Sequence, residues 1–212
     1  MPRSKVLVLV LLIVVIASSI LLYYVLHERG AGEETTTTSS LPVPEELSQV
    51  ISRAGENIVL RVDDFSNGSM IPSKYTCSGE DKSPEIIIEE YPENTRSFII
   101  IIYDPDAPHG FFYHWVMYNI PANQTVIPEG VEKKAVTRYG YQGPNDFPSS
   151  KVNNMGYSGP CPPSGEKHRY VFVVLALDEE LPLAPGASVH EVLLMVENHV
   201  IGYGVYYGVY QR

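Results

Sequence analysis

An eight-residue run, Tyr170-Val171-Phe172-Val173-Val174-Leu175-Ala176-Leu177, constrains this chain more than any other feature, because no charged residue interrupts it. A strand with one face in water alternates apolar and polar residues, whereas a near-continuous apolar strand is covered on both faces and lies centrally in a sheet. Phe98-Ile99-Ile100-Ile101-Ile102-Tyr103 reads as a second buried strand. Residues 58–62, 85–88 and 114–120 read as further strands separated by turn formers. Near the end, Ser188 as N-cap with Glu191 three residues on predicts a helix over 189–200, stopped by Gly202 and Gly204. Beyond it, the Gly-, Val- and Tyr-rich stretch 203–210 predicts a closing strand, and a short helix is expected within 44–54. Between residues 120 and 170 the chain is rich in Pro, Gly, Asn and Ser, and fifty residues of that kind are too many for an idle connection. The expected fold is mainly β, a sandwich with a C-terminal helix and one long functional loop region.

The first part of the chain reads differently. Residues 6–26 carry no charge, and at helical rise they would reach about 30 Å, enough to cross a bilayer's hydrocarbon layer. Residues 1–28 are therefore expected to form one N-terminal transmembrane helix. Arg3 and Lys5 before the run, with Glu33 and Glu34 after it, would leave the amino terminus cytoplasmic and the domain outside the cell membrane. The alternative is a secreted domain freed by signal cleavage near Ala17-Ser18-Ser19. Residues 29–56, with the run Thr35-Thr36-Thr37-Thr38-Ser39-Ser40, read as a tether, and 57–212 as the globular domain. The net charge is −10, and since Arg3, Lys5 and Arg29 stand against Glu28 alone in the first 29 residues, the remainder carries −12. An acidic surface of this size disfavours nucleic acid as a partner.

Three clusters adjoin the expected strands: Asp104-Pro105-Asp106-Ala107-Pro108, His114-Trp115 with Phe112, and the turn from Gly159 and Pro160 through Ser164 to His168-Arg169-Tyr170. Prolines make the first a stiff loop at a strand end, where sites are commonly built. Neighbouring strands would bring two imidazoles and a carboxylate to one mouth, a composition suited to a small anion. A carboxylate behind an imidazole raises its pKa and orients it, so Asp104 would keep a histidine cationic, while the glycine-containing turn would supply backbone N–H donors. Asp106 serves equally well as a turn-capping residue. No catalytic residue is assigned. Ser164 lies outside any G-x-S-x-G elbow, so an unrecognised hydrolase is only an alternative, and no metal motif such as H-E-x-x-H or cofactor motif is present. Cys77 and Cys161 either pair or remain separate thiols, and their spacing fits no usual metal pattern.

These clusters, with Tyr75-Thr76-Cys77-Ser78-Gly79-Glu80-Asp81-Lys82-Ser83-Pro84 and Gly159-Pro160-Cys161-Pro162-Pro163, resemble the phosphatidylethanolamine-binding protein family, in particular its bacterial and archaeal Raf-kinase-inhibitor-like branch. The resemblance covers residues 57–212. It implies a Greek-key β-sandwich of antiparallel sheets and a pocket for phosphate-like head groups. Asp104 stands at the family's pocket carboxylate, and His114 and His168 at its two histidines. Gly159, Pro160 and Tyr170 match its loop and wall, and Phe112 an aromatic position. The bond before Pro108 is expected to be cis on the same ground. Cys77 and Cys161 lie in the two loops that flank the family's pocket, which implies a disulfide. The expected function is a non-enzymatic binding or regulatory protein for a small anionic or phosphorylated ligand. The alternative partner is an extracytoplasmic serine protease, inhibited through the Pro-rich loop 144–163.

Overall fold

The computed structural model describes residues 41–150 and 153–212. Nine strands and two helices follow one another: α1 (Glu45–Ile51), β1 (Gly55–Glu56), β2 (Val59–Val62), β3 (Ile86–Glu90), β4 (Ser97–Asp104), β5 (Phe112–Pro121), β6 (Val126–Ile127), β7 (Tyr141–Gln142), β8 (Lys167–Leu177), α2 (Val189–Met195) and β9 (Val200–Gln211). A six-stranded sheet has the order β1-β9-β8-β4-β5-β7, and a three-stranded sheet the order β2-β3-β6.

The apolar runs occupy the middle of the large sheet. All eight residues of β4 are buried, and β4 pairs with β5 on one side and β8 on the other. One face of β4, with Phe98, Ile100 and Ile102, packs with Trp115, Met117 and Phe172 against Leu60, Val62, Ile86 and Ile88 of the small sheet. The opposite face, with Ile99, Ile101 and Tyr103, is covered by Leu47 and Val50 of α1 and by Val189, Val192 and Leu193 of α2. A sheet covered on both faces has no place for polar alternation, which is why these strands read as unbroken apolar runs.

α2 carries the capping box in full: Ser188 Oγ accepts from the Glu191 N–H, and Glu191 Oε2 accepts from the Ser188 N–H. The helix stops at Met195 rather than at 200, because Val200 is taken into β9 opposite Leu177. The closing strand forms, from Val200 to Gln211, antiparallel to β8. One feature departs from a wholly antiparallel sandwich: β1 joins β9 in parallel.

The transmembrane part of the expected fold is corrected. Among the described residues no helix is long and apolar enough to cross a membrane. Residues 1–28, on which that expectation fell, lie outside the described residues. The single-pass placement with the domain outside the cell rested on that helix and is withdrawn with it. Residues 41–56 pack with the rest of the described chain: Leu41 and Val43 lie against the helix-side core, and Tyr103 Oη donates to the Pro42 carbonyl at 3.0 Å.

Candidate functional site

The face of the large sheet that meets the small sheet continues past its partner at one end, and there its side chains turn polar. On β4 the residues facing this way are Phe98, Ile100, Ile102 and, by the same alternation, Asp104; on β8 they are Val174, Phe172, Tyr170 and His168. On β5 the pairing jumps from Ile102–Trp115 to Tyr103–Tyr113. His114 is the extra residue of that β-bulge, and the bulge turns it toward the same mouth as Trp115's face of the sheet. Asp104, His114, His168 and Tyr170 all line one cavity of about 390 Å³.

The pKa values of the two histidines are shifted in opposite directions. His168 Nδ1 meets Asp104 Oδ2 at 2.7 Å, and Nε2 lies 3.3 Å from Glu166 Oε2. Burial by itself lowers the His168 pKa, but the hydrogen bonds to Asp104 and Glu166 outweigh burial and hold it above its ordinary value. His114 is fully buried, and burial pushes its pKa down. Its Nδ1–H donates to the Ser158 carbonyl at 2.6 Å, which leaves Nε2 with its lone pair. Of the two imidazoles only His168 is thus shifted toward its cationic form, and it is the one that Asp104 backs.

Tyr170 adds a third polar group. Burial raises its phenol pKa, so it stays neutral, and its hydroxyl lies close to Asp104 and the Cys161 backbone without making a hydrogen bond of good geometry among the described residues. A buried hydroxyl so left costs about 1–3 kcal/mol.

Asp104 does two jobs at once: Oδ2 orients His168, while Oδ1 accepts from the Asp106 N–H at 2.8 Å and closes an Asx turn. Asp106 faces away from the cavity. It accepts from the Arg169 Nε at 2.8 Å and backbone N–H at 2.9 Å, and the guanidinium holds its carboxyl below the usual range. Pro108 lines the cavity, and the expected cis bond before it is corrected: no described peptide bond is cis. Phe112 also lines it, with ring centroids 5.0 Å from His114 and 4.9 Å from Phe147.

Gly159 and Pro160 stand one layer behind the wall. The Gly159 N–H donates to Asp81 Oδ1 at 2.6 Å, so it is not a donor to an anion, and the Pro160 carbonyl accepts from the Cys77 N–H at 3.1 Å. A Cβ at Gly159 would lie 2.0 Å from the Tyr75 carbonyl oxygen, so glycine there serves close packing of two loops. Cys77 and Cys161 form a disulfide with Cα atoms 5.4 Å apart, and Cys161 itself lines the cavity.

Sequence reasoning passed over His109, Phe147 and Arg212, which also line the cavity, and Glu166, which reaches His168. Phe147 alone had a signal, an aromatic residue within the Pro- and Asn-rich loop; the others resembled ordinary surface positions. Among the described residues no group of three or more His, Cys, Asp or Glu side chains is disposed to hold a metal.

A family model for the phosphatidylethanolamine-binding proteins matches residues 61–211. The chain belongs to this family. Similar chains include a UPF0098 protein of Pyrococcus horikoshii, 46% identical over 162 residues that cover 74% of this chain and 79% of that one. A UPF0098 protein of Aquifex aeolicus is 45% identical over 150 residues, covering 70% of this chain and 85% of the relative. The crystal structure of Escherichia coli YbcL, described as a member of the mammalian family, superposes with a TM-score of 0.65 at 29% identity, over 73% of this chain and 98% of YbcL. The resemblance read from the three motifs is therefore borne out.

Proposed function

We propose that this protein is a binding protein whose cavity takes a small oxyanion, a phosphate or the phosphomonoester of a head group. The observation that carries the reading is the convergence, in one cavity, of His168, hydrogen-bonded to Asp104 with its pKa raised, with His114 and Tyr170. His168 offers a charge-assisted donor, Tyr170 a neutral donor, and His114 Nε2 an acceptor for a protonated oxygen or an amine. The aromatic wall of Phe112 and Phe147 limits water at the site and strengthens each of these bonds. The arrangement supports binding, since among the described residues no serine, threonine or cysteine side chain is hydrogen-bonded to either imidazole.

Isothermal titration of phosphoethanolamine is expected to give an affinity that falls about 10- to 100-fold in His168→Ala, the scale of one hydrogen bond to a charged group. Equal affinity in the two proteins would remove His168 from the site.

A second expectation concerns pH. His168 has its pKa raised from an ordinary 6.5, so its charge is complete below that value and is lost as pH rises through the raised one. His114, pushed downward, stays neutral over the same window. Sulfate keeps its charge throughout, so its binding should weaken with a single titration above pH 6.5, and flat binding from pH 5 to 9 would exclude a cationic imidazole.

A further inference from the structure

Both ring nitrogens of His168 meet carboxylates, and the two carboxylates differ. Asp104 on Nδ1 is buried with its side chain 5% exposed, whereas Glu166, 3.3 Å from Nε2, has 58% of its side chain in solvent. Glu166 follows Gly165, whose φ is +88° and whose absent Cβ would have no neighbour within 4 Å, so the turn that carries Glu166 is open on its outer side. Its backbone is anchored by the Glu166 N–H to the Pro163 carbonyl at 3.1 Å and the Gly165 N–H to the Arg212 carbonyl at 2.8 Å. The side chain can therefore leave His168 without any rearrangement of the turn.

An oxyanion bound by His168 must use Nε2, because Asp104 occupies Nδ1. Glu166 holds a carboxylate oxygen on that same nitrogen. We propose that Glu166 is an internal competitor for His168 Nε2, displaced when an oxyanion binds, and that it thereby sets the affinity and charge selectivity of the cavity. The proposal rests on the oxyanion reading given above. The remaining charged groups near His168 do not compete: Asp106 and Arg169 are paired with each other, and the Arg212 guanidinium donates to Cys161 Sγ at 3.4 Å on the cavity rim. Exchange keeps the histidine's charge compensated at every stage, with a carboxylate before binding and an oxyanion after it. Glu166 belongs to the adjoining hollow that it lines with Lys167, His168 and Arg169, so the displaced carboxylate stays beside His168 and penalises a dianion more than a monoanion.

Inorganic phosphate titrated calorimetrically into wild type, E166Q and E166D tests this. E166Q is expected to bind about 3- to 10-fold more tightly, the range for removing one partly exposed charge contact. Asp at this position keeps the charge but is one methylene too short for Nε2, so E166D should bind nearly as tightly as E166Q. In the ligand-free protein, the NMR titration midpoint of the His168 imidazole should fall in both variants. An E166D protein that behaves like wild type would mean a general field effect and overturn the competition. Measurable phosphate binding in wild type with no gain in E166Q would overturn the proposal and leave the oxyanion reading standing. Binding by both E166Q and E166D but not by wild type would support it, and binding by none of the three would overturn both.

Discussion

Asp104→Ala is expected to cost about 3–5 kcal/mol of folding stability, because it removes one partner of a buried ion pair and leaves the other in place. The side chains of Asp104 and His168 are only 5% and 4% exposed, so water cannot replace the lost partner. The sign with pH follows from the raised His168 pKa. The pair's contribution is complete below the unfolded imidazole value near 6.5 and disappears as pH rises through the folded value, so the penalty should be largest in mild acid and shrink toward alkaline pH. Asp104→Asn separates orientation from charge. It keeps an oxygen for the Asp106 N–H but withdraws the charge behind His168. The variant should stay folded and bind phosphoethanolamine about 10- to 100-fold less tightly at neutral pH, with its pH profile moved toward acid. Urea denaturation at two pH values, paired with calorimetric titration, measures both effects. A wild-type pH profile in Asp104→Asn would mean that Asp104 does not hold the histidine charged.

How much of the site was legible depended on what decides each residue's role. Residue type at a strand end was visible, so Asp104, His114, His168 and Tyr170 could be named from the chain alone. The protonation states were not visible, because they follow from partners distant in sequence: Ser158 for His114, and both Asp104 and Glu166 for His168. Asp104 was favoured over Asp106 from the chain, but the partners that separate them, His168 for the first and the guanidinium of Arg169 for the second, are visible only in the structure. Gly159 and Pro160 match motif positions yet support the wall from behind, since a motif records that a residue is needed and not whether it touches ligand.

The fold divides in the same way. Strand existence was legible because burial on both faces writes an unbroken apolar run, and the start of α2 because capping is local. Its end was not local. Periodicity allowed the helix to continue to 200, but pairing of Val200 and Gly202 with β8 overrides helix propensity there. The packing of α1 and of Leu41 was likewise invisible, because it depends on an apolar sheet face left open by the order of strands.

Reduction of the Cys77–Cys161 disulfide, or its removal in a Cys77→Ser, Cys161→Ser double variant, should lower stability by about 4.5 kcal/mol, the chain-entropy value for a closed loop of this span. The two cysteines are 84 residues apart, so the reduced unfolded chain regains the freedom of a long loop. For a folded unit of this size the loss corresponds to a melting temperature lower by roughly 10–18 °C. The folded state itself should change little, since other bonds hold the same two loops together: the Cys77 N–H to the Pro160 carbonyl at 3.1 Å, the Gly159 N–H to Asp81 Oδ1 at 2.6 Å, and Tyr157 Oη to the Tyr75 carbonyl at 2.6 Å. The bridge therefore acts mainly through the unfolded state, and phosphoethanolamine affinity should stay within about twofold after reduction at a temperature where the protein remains folded. Cys161 lines the cavity, so the opposite result has a clear meaning. A large loss of affinity with an unchanged melting temperature would show that the disulfide shapes the cavity wall and that the hydrogen bonds between the loops are too weak to hold it alone.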